Sequence, residues 1–261
     1  KSTNEEKSAA IDRVNVAKID AINNITNATT TQLVNDAKNS GNTSISQILP
    51  STAVKTNALA ALATEAKNKN AIIDQTPNAT AEEKEEANNK VDRLQEESDA
   101  NILKAHTTDE VNNIKNQAVQ NINAVQVEVI KKQNVKNQLN QFVDNQKKII
   151  ENTPDATLEE KAEANRLLQN VLTSTSDEIA NVDHNNEVDQ ALDKARPKIE
   201  AIVPQVSKKR DALNAIQEAF NSQTQEIQEN QEATNEEKTE ALNKINQLLN
   251  PVSYTHLTLP T

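Results

Sequence analysis

An all-α protein made of tandem three-helix bundles is the fold this sequence predicts, and three observations predict it. The pattern Thr-x-Glu-Glu-Lys stands at Thr3–Lys7, Thr80–Lys84, Thr157–Lys161 and Thr234–Lys238, each 77 residues after the last. Between these marks, apolar residues recur at alternating steps of three and four, as on a helix packed against partner helices. The seams are interrupted at the same places in each copy by polar residues that cap helices or turn chains, and Pro50 and Pro204 stand at equivalent positions. A fixed period without insertions means one structural unit copied in tandem. Counted from the repeated pattern, the units are 1–79, 80–156 and 157–233, with a truncated fourth at 234–250 and a tail at 251–261.

The repeated pattern has a mechanism. Thr followed three residues later by Glu is a capping box: the Thr hydroxyl accepts from a free N–H of the first turn, and the Glu reaches back to the Thr N–H. Thr3 with Glu6, Thr80 with Glu83, Thr157 with Glu160 and Thr234 with Glu237 are therefore predicted to open helices. Paired carboxylates in that turn also suit the positive end of the helix dipole. The first helix, 3–26, carries Ala10, Val14, Ala17, Ala21 and Ile25 on one seam. Its copies carry Ala87, Val91, Leu94, Ser98 and Ile102, then Ala164, Leu168, Val171, Thr175 and Ile179.

A polar break at 27–31 leads to the second helix, 31–48, with Val34, Ala37, Gly41, Ile45 and Ile48 as its seam. The copies are Val111, Ile114, Ala118, Ile122 and Val125, then Val188, Ala191, Ala195, Ile199 and Ile202. Pro50 and Pro204 stand just beyond, where a helix has to end. Pro197 falls inside the third copy and is expected to kink that helix or delay its start. Gly41 is expected to weaken the first copy by about 1 kcal/mol relative to Ala, so that Gly41→Ala strengthens it.

The third helix, 52–75, carries Ala58, Leu62, Ala66 and Ile73, repeated as Val135, Leu139, Val143 and Ile150 and as Ala212, Ile216, Phe220 and Ile227. Phe142 and Phe220 are expected in the core, and Glu65, in register with Phe142, marks the first unit as the one to open first. The seam turns polar at Lys69, Gln146 and Gln223. Thr76–Thr80 and Thr153–Thr157, each containing a proline, close one unit before the next box. Gln231-Glu232-Ala233 replaces that turn at the last junction, which is expected to be more continuous helix. From Pro251 the periodicity stops, and Val252–Thr261 resembles a translated sequencing adapter, so it is left out of the fold.

Composition excludes several classes. Cysteine is absent, which removes disulfides and thiolate chemistry, and methionine and tryptophan are absent too. The formal net charge of −11 is unfavourable for nucleic acid. No apolar run approaches the ~20 residues of a membrane span, so no membrane insertion is expected. Starting at Lys1 rather than Met, the chain reads as a piece of a longer protein. Cores made of Ala, Val, Ile and Leu in units this small supply only ~3–5 kcal/mol.

The Pro-[Asn/Asp]-Ala-Thr-x-Glu-Glu-Lys junction, the 77-residue period and the Ile-x-x-[Ile/Val]-x-Pro ending of the second helix occur together over residues 1–250. In this combination the chain resembles the tandem domain-of-unknown-function repeat of staphylococcal cell-wall surface proteins, the Ebh, SasC and FmtB type. The resemblance implies repeats on a long extracellular, cell-wall protein that form a rod between an adhesive region and an anchor, with roles in adhesion, aggregation or biofilm.

Chemistry is sparse. His106 and His184 lie in breaks between helices with no second His or Cys at ligand spacing, so they are read as surface residues. The clusters Glu82–Glu86 and Glu159–Glu163 lack the glycine and the alternating acids of a calcium loop. Lys131-Lys132 and Lys208-Lys209-Arg210 are read as solvated faces. No nucleophile with a base, phosphate loop or dinucleotide fingerprint is present. No enzyme, no catalytic residue, no metal site and no cofactor are therefore expected, and the capping residues Thr3, Glu6, Thr80, Glu83, Thr157, Glu160, Thr234 and Glu237 are the residues singled out. The expected role is a monomeric rod acting as a stalk or spacer. The alternative is that the repeats bind a host matrix protein such as fibronectin, or the repeats of a neighbouring cell.

Overall fold

Ten α-helices follow one another in the computed structural model, which describes the backbone of residues 1–256 and the side chains of residues 1–248. They are α1 (Asn4–Thr26), α2 (Thr31–Ser46), α3 (Ala53–Asp74), α4 (Ala81–Lys104), α5 (Thr108–Ala124), α6 (Lys131–Glu151), α7 (Leu158–Asn181), α8 (Asn185–Glu200), α9 (Lys208–Glu229) and α10 (Asn235–His256). No strand occurs among the described residues. The protein is thus all-α and made of tandem helical repeats, with the ends of α1 to α9 within about two residues of those the 77-residue register predicts. Helix α10 departs from the expectation: it runs past Pro251 to His256, into the tail expected to lie outside the fold, of which residues 257–261 lie outside the described residues. Two further departures stand out. Helix α8 runs through Pro197 without a delayed start, and the proline sits close enough to the C-terminus that only the last turn follows it. At the last junction α9 ends at Glu229, and Asn230 accepts through its side chain from the N–H groups of Glu232 and Ala233; the helix is interrupted there, not continuous.

The chain divides into two compact units, 1–136 with 178–190, and 137–177 with residues from 191 onward. In the first, α1 packs on α2, while α3, α4 and α5 pack on one another. Their shared core is Ala58, Leu62, Ala66 and Ile73 from α3, Ala87, Val91 and Ile102 from α4, and Val111, Ala118 and Ile122 from α5. The three-helix bundle therefore joins the third helix of one copy to the first two of the next, and a boundary between 79 and 80 cuts through it. Local backbone explains the phase. Pro77 stops α3, and Asn78, at φ 61°, reverses the chain so that α4 returns along α3. Asn tolerates this left-handed conformation better than most residues. Asp155, at φ 60°, takes the same place between α6 and α7. After α5, by contrast, Val125 is extended and the chain runs on without a regular element to Ile130.

The α1–α2 pair has the same seams, and among the described residues no third helix packs along them. Val34 is 36% exposed where its copy Val111 is 0% exposed. Gly41 is buried against α1, and a Cβ added to it would lie 2.6 Å from the Cβ of Ala21. The glycine is there for close approach, which reverses the expectation that Gly41→Ala strengthens this copy.

In the second unit the buried positions include Leu139, Val143 and Ile150 of α6, Ala164 and Leu168 of α7, and Ala195 and Ile199 of α8. Each lies 77 residues beyond a core residue of the first bundle. Phe142 is only half-buried, with the Arg196 guanidinium 5.1 Å from its ring centroid, and Phe220 is half-buried as well. Both aromatics flank the core, and neither fills it. Glu65 likewise stays out of the core, accepting from the Asn123 side chain at 2.6 Å while Ala66 takes the seam. No residue of α9 is buried.

Candidate functional site

The four fixed side chains of Thr-x-Glu-Glu-Lys converge on helix ends, and the geometry is longer-ranged than a capping box. Locally, Thr3 Oγ1 accepts from Glu6 N, and Glu6 Oε2 accepts from Thr3 N at 2.9 Å. The same pair of bonds occurs at Thr80 with Glu83, Thr157 with Glu160, and Thr234 with Glu237.

The second oxygen of that glutamate goes elsewhere. Glu6 Oε1 accepts from Val54 N, 48 residues on, in the first turn of α3. Glu83 Oε1 accepts from Ile130 N and Lys131 N, both at 2.8 Å, at the start of α6. Glu160 Oε1 accepts from Ser207 N and Lys208 N at the start of α9. One carboxylate thus satisfies free N–H groups at the N-termini of two helices, where a negative charge is favourable.

The preceding glutamate reaches a third N-terminus. Glu5 Oε2 accepts from the backbone N and the hydroxyl of Thr108, which opens α5, while Asn4 N donates to His106 O at 2.8 Å. Glu82 accepts from Asn185 N at the start of α8 and lies 3.2 Å from His184 Nδ1, and Ala81 N donates to Asp183 O. The lysine of the pattern turns back: Lys161 Nζ donates to Glu151 O at the end of α6, and Lys238 Nζ to Gln228 O near the end of α9. His106 and His184 are exposed, as their place between helices suggests.

Electrostatics follow from this geometry. Hydrogen bonds from Thr157 N and Ser207 N hold the Glu160 carboxyl at about 2, far below its ordinary value of 4.5. For Glu83, burial pushes upward, and bonds from Thr80, Lys131 and Ile130 together outweigh it, so its value is lowered. Glu6 is lowered by the same balance, and Glu5 and Glu82 are lowered by backbone bonds in their own first turns and at Thr108 and Asn185. Such groups stay ionised and neither give nor take protons near neutrality.

Two buried lysines complete the set. Lys55, 3% exposed, donates to the carbonyls of Leu103 and Ala105 at the end of α4. Lys132, 6% exposed, donates to Ala180 O at the end of α7. Lys132 is therefore not on a solvated face, whereas Lys131 binds Asp189 at 2.7 Å near the surface. The sequence does hold a signal for these lysines. Lys55, Lys132 and Lys209 recur at the period and sit three residues before an apolar seam position, on the inward side of the helix. The polar seam positions act alike, Lys69 donating to Asn123 O and Gln146 to Ile202 O.

Beside the α7–α9 joint lies an open cleft of about 510 Å³, lined by Leu167, Val203, Glu163 and Lys208 among others. At the corresponding place by α4, Lys90 bridges to Glu86 and Glu128 and leaves about 70 Å³. Among the described residues no group of three or more His, Asp or Glu side chains is placed to hold a metal ion, and no helix is long and apolar enough to cross a membrane.

An all-helical fold in which, among the described residues, convergent polar groups lock helix ends together defines a tandem repeat protein. It belongs to the family described as Domain of Unknown Function (DUF1542), whose model matches residues 1–53, 54–130, 131–207 and 208–253. The internal matches begin at α3, α6 and α9, the phase in which the helices pack. The chain is similar to the "Extracellular matrix-binding protein EbhA" of Staphylococcus aureus strain Newman, at 26% identity over 257 residues, covering 95% of this chain and 7% of that protein. It is equally similar to the "Extracellular matrix-binding protein ebh" of strain NCTC 8325 / PS 47, 26% identical over 257 residues, of which it spans 3%. No solved structure matches the chain.

Proposed function

We propose that this chain is a non-enzymatic spacer segment of a large bacterial surface protein, located outside the cell and attached to the wall. The observation that carries the proposal is the carboxylate joint. Glu83 fixes the first turn of α4 to that of α6, and Glu82 fixes it to that of α8, so successive repeats are tied by charge-assisted bonds and not by a loose linker. Charge-assisted bonds are roughly twice as strong as neutral ones, which suits a stalk that bears load. Its function then lies in length and repetition. Small-angle scattering of the chain tests this: a maximum dimension that grows in proportion to the number of repeats supports the spacer, and a compact particle of constant diameter overturns it.

A second reading is favoured by the printed names of the relatives, which call those proteins matrix-binding. In that case the repeats here contact a host matrix protein directly. Removing one whole repeat separates the two, because a spacer loses reach and keeps affinity, whereas a multivalent binder loses avidity on an immobilised fibronectin surface.

A further inference from the structure

The stretches that lead from the second helix of a copy into the third occupy the same place in the repeat and differ in one respect. Residues 48–53 read Ile-Leu-Pro-Ser-Thr-Ala and residues 202–207 read Ile-Val-Pro-Gln-Val-Ser, whereas residues 125–130 read Val-Gln-Val-Glu-Val-Ile. Val127 stands where Pro50 and Pro204 stand, and a proline has no N–H to give. A proline-free run of alternating valines with a single charge has the composition of a pairing strand. The run lies inside the complete copy at 54–130, with described helices before and after it.

The backbone carries the run as a strand. Val125 is extended, and Val125 and Val127 pack on the core of α3, α4 and α5 while Gln126 and Glu128 are exposed. That is the alternation of an extended chain laid on a bundle. Among the described residues, the N–H groups of Gln126, Val127, Glu128 and Val129 find no acceptor. The two edges of the run differ. On the edge of the even-numbered residues, Glu128 O already accepts from Ile130 N. On the other, Val127 N, Val129 N and the carbonyls of Val125 and Val127 are without partners among the described residues, a row of open groups that templates a further strand.

We propose that residues 125–129 pair antiparallel with the same residues of a second copy, about a two-fold axis through Val127. Val127 N donates to Val127 O of the second copy and Val129 N to its Val125 O, and the symmetry repeats both bonds. Side chains select this register. Val125 falls opposite Val129 and Val127 opposite Val127 on the inward face, while Gln126 falls opposite Glu128 on the outward face, amide against carboxylate. A slip one way sets Glu128 against Glu128, like charges directly opposed, and a slip the other way leaves Val129 N unpaired. Each strand is held in place by its own bundle, so little ordering is needed on pairing. Both partners present the same surface, so the assembly closes at two chains. The partner is a second copy of this chain, in place of the monomer expected from sequence, and the proposal does not depend on the spacer role.

The chain has no cysteine, so introduced thiols report the register directly. Gln126→Cys and Glu128→Cys each change an exposed side chain. Under mild oxidation, an equimolar mixture of the two full-length variants should cross-link roughly tenfold faster than either variant alone, because only unlike positions come within the ~7 Å that a disulfide spans. In sedimentation equilibrium the unmodified chain should rise with concentration from 28.7 kDa toward twice that mass and no further. Val127→Pro removes an N–H that is unbonded in the single chain and copies the residue at 50 and 204, so it should keep its helix content by circular dichroism and stay at one chain. A single-chain mass for the unmodified protein at all concentrations overturns the proposal. So does association that Val127→Pro leaves intact, or cross-linking no faster in the mixture than in the separate variants.

Discussion

Gly41 and Ala21 face each other across the α1–α2 interface so closely that a methyl group on the glycine would come within 2.6 Å of the alanine Cβ. The atom it meets belongs to a rigid methyl next to backbone, so relief requires the helices to move apart. Helix propensity favours alanine by about 1 kcal/mol, and overpacking costs about 1–3 kcal/mol. Gly41→Ala is therefore expected to lower stability on balance. Ala21→Gly combined with Gly41→Ala should be less harmful than the two single losses added, because the methyl only changes sides. A double-mutant cycle by urea unfolding measures that coupling.

Acid should loosen the joints before it does anything else. Glu160 titrates at about 2 in the folded protein against an ordinary 4.5. A carboxyl whose folded value is depressed contributes its stability above the unfolded value and loses it as pH falls through the folded value. Thermal stability should thus be level above about pH 4.5 and fall between 4.5 and 2, with Glu6 and Glu83, also lowered, acting in the same direction. Glu160→Gln should lower the melting temperature at pH 7 and flatten the fall in acid. Circular dichroism melts at pH 7 and pH 3 on both proteins decide it.

Lys55 offers a cleaner view of a single buried group. Its ammonium satisfies two carbonyls at the end of α4 while its stem lies in the bundle. Lys55→Met keeps the stem and removes the donors, leaving acceptors short of a partner at a cost of about 1–3 kcal/mol. Lys209→Met, at the same register in α9 but exposed, should be near neutral in dilute solution. Chemical unfolding of the two variants compares them directly, and equal losses would show that the buried position carries no special weight.

How much of this was legible in the sequence depends on range. Helix starts were plain because the Thr3–Glu6 box is a contact over three residues, and the seams were plain because Leu62, Leu139 and Ile216 recur at a fixed step. The phase of the bundle was not. A repeat of helices one, two and three has the same period as a repeat of three, one and two, and Thr80 marks the start of a helix without saying which bundle owns it. The left-handed Asn78 that folds α4 onto α3 was the available clue. Likewise the motif read as local because its known partners are local. The second oxygen of Glu83 finds Lys131 N 48 residues away, and only the fold brings that amide near. Phe142 misled for a different reason: its place beside the seam fits a core residue, yet Val143 fills the core and Arg196 takes the ring.

The least protected helices should be α1 and α2, for a reason other than composition. Glu65 lies outside the core and Gly41 is a close-approach residue, so neither is the defect it resembles in the sequence. Among the described residues, α1 and α2 have no counterpart of the third helix that covers Val91 and Val111 in the next copy. Opening free energy tracks buried apolar contact, and α3, although it belongs to the same copy by register, is sealed in the bundle with α4 and α5. Native-state hydrogen exchange should therefore show amides of 31–46 exchanging much faster than those of 108–124, while those of 53–74 are protected as well as 108–124. The comparison within one copy is what matters. Slow exchange throughout 31–46 at low protein concentration would mean that the pair is stable without a third helix, and fast exchange in 53–74 would mean that the bundle is not the cooperative unit.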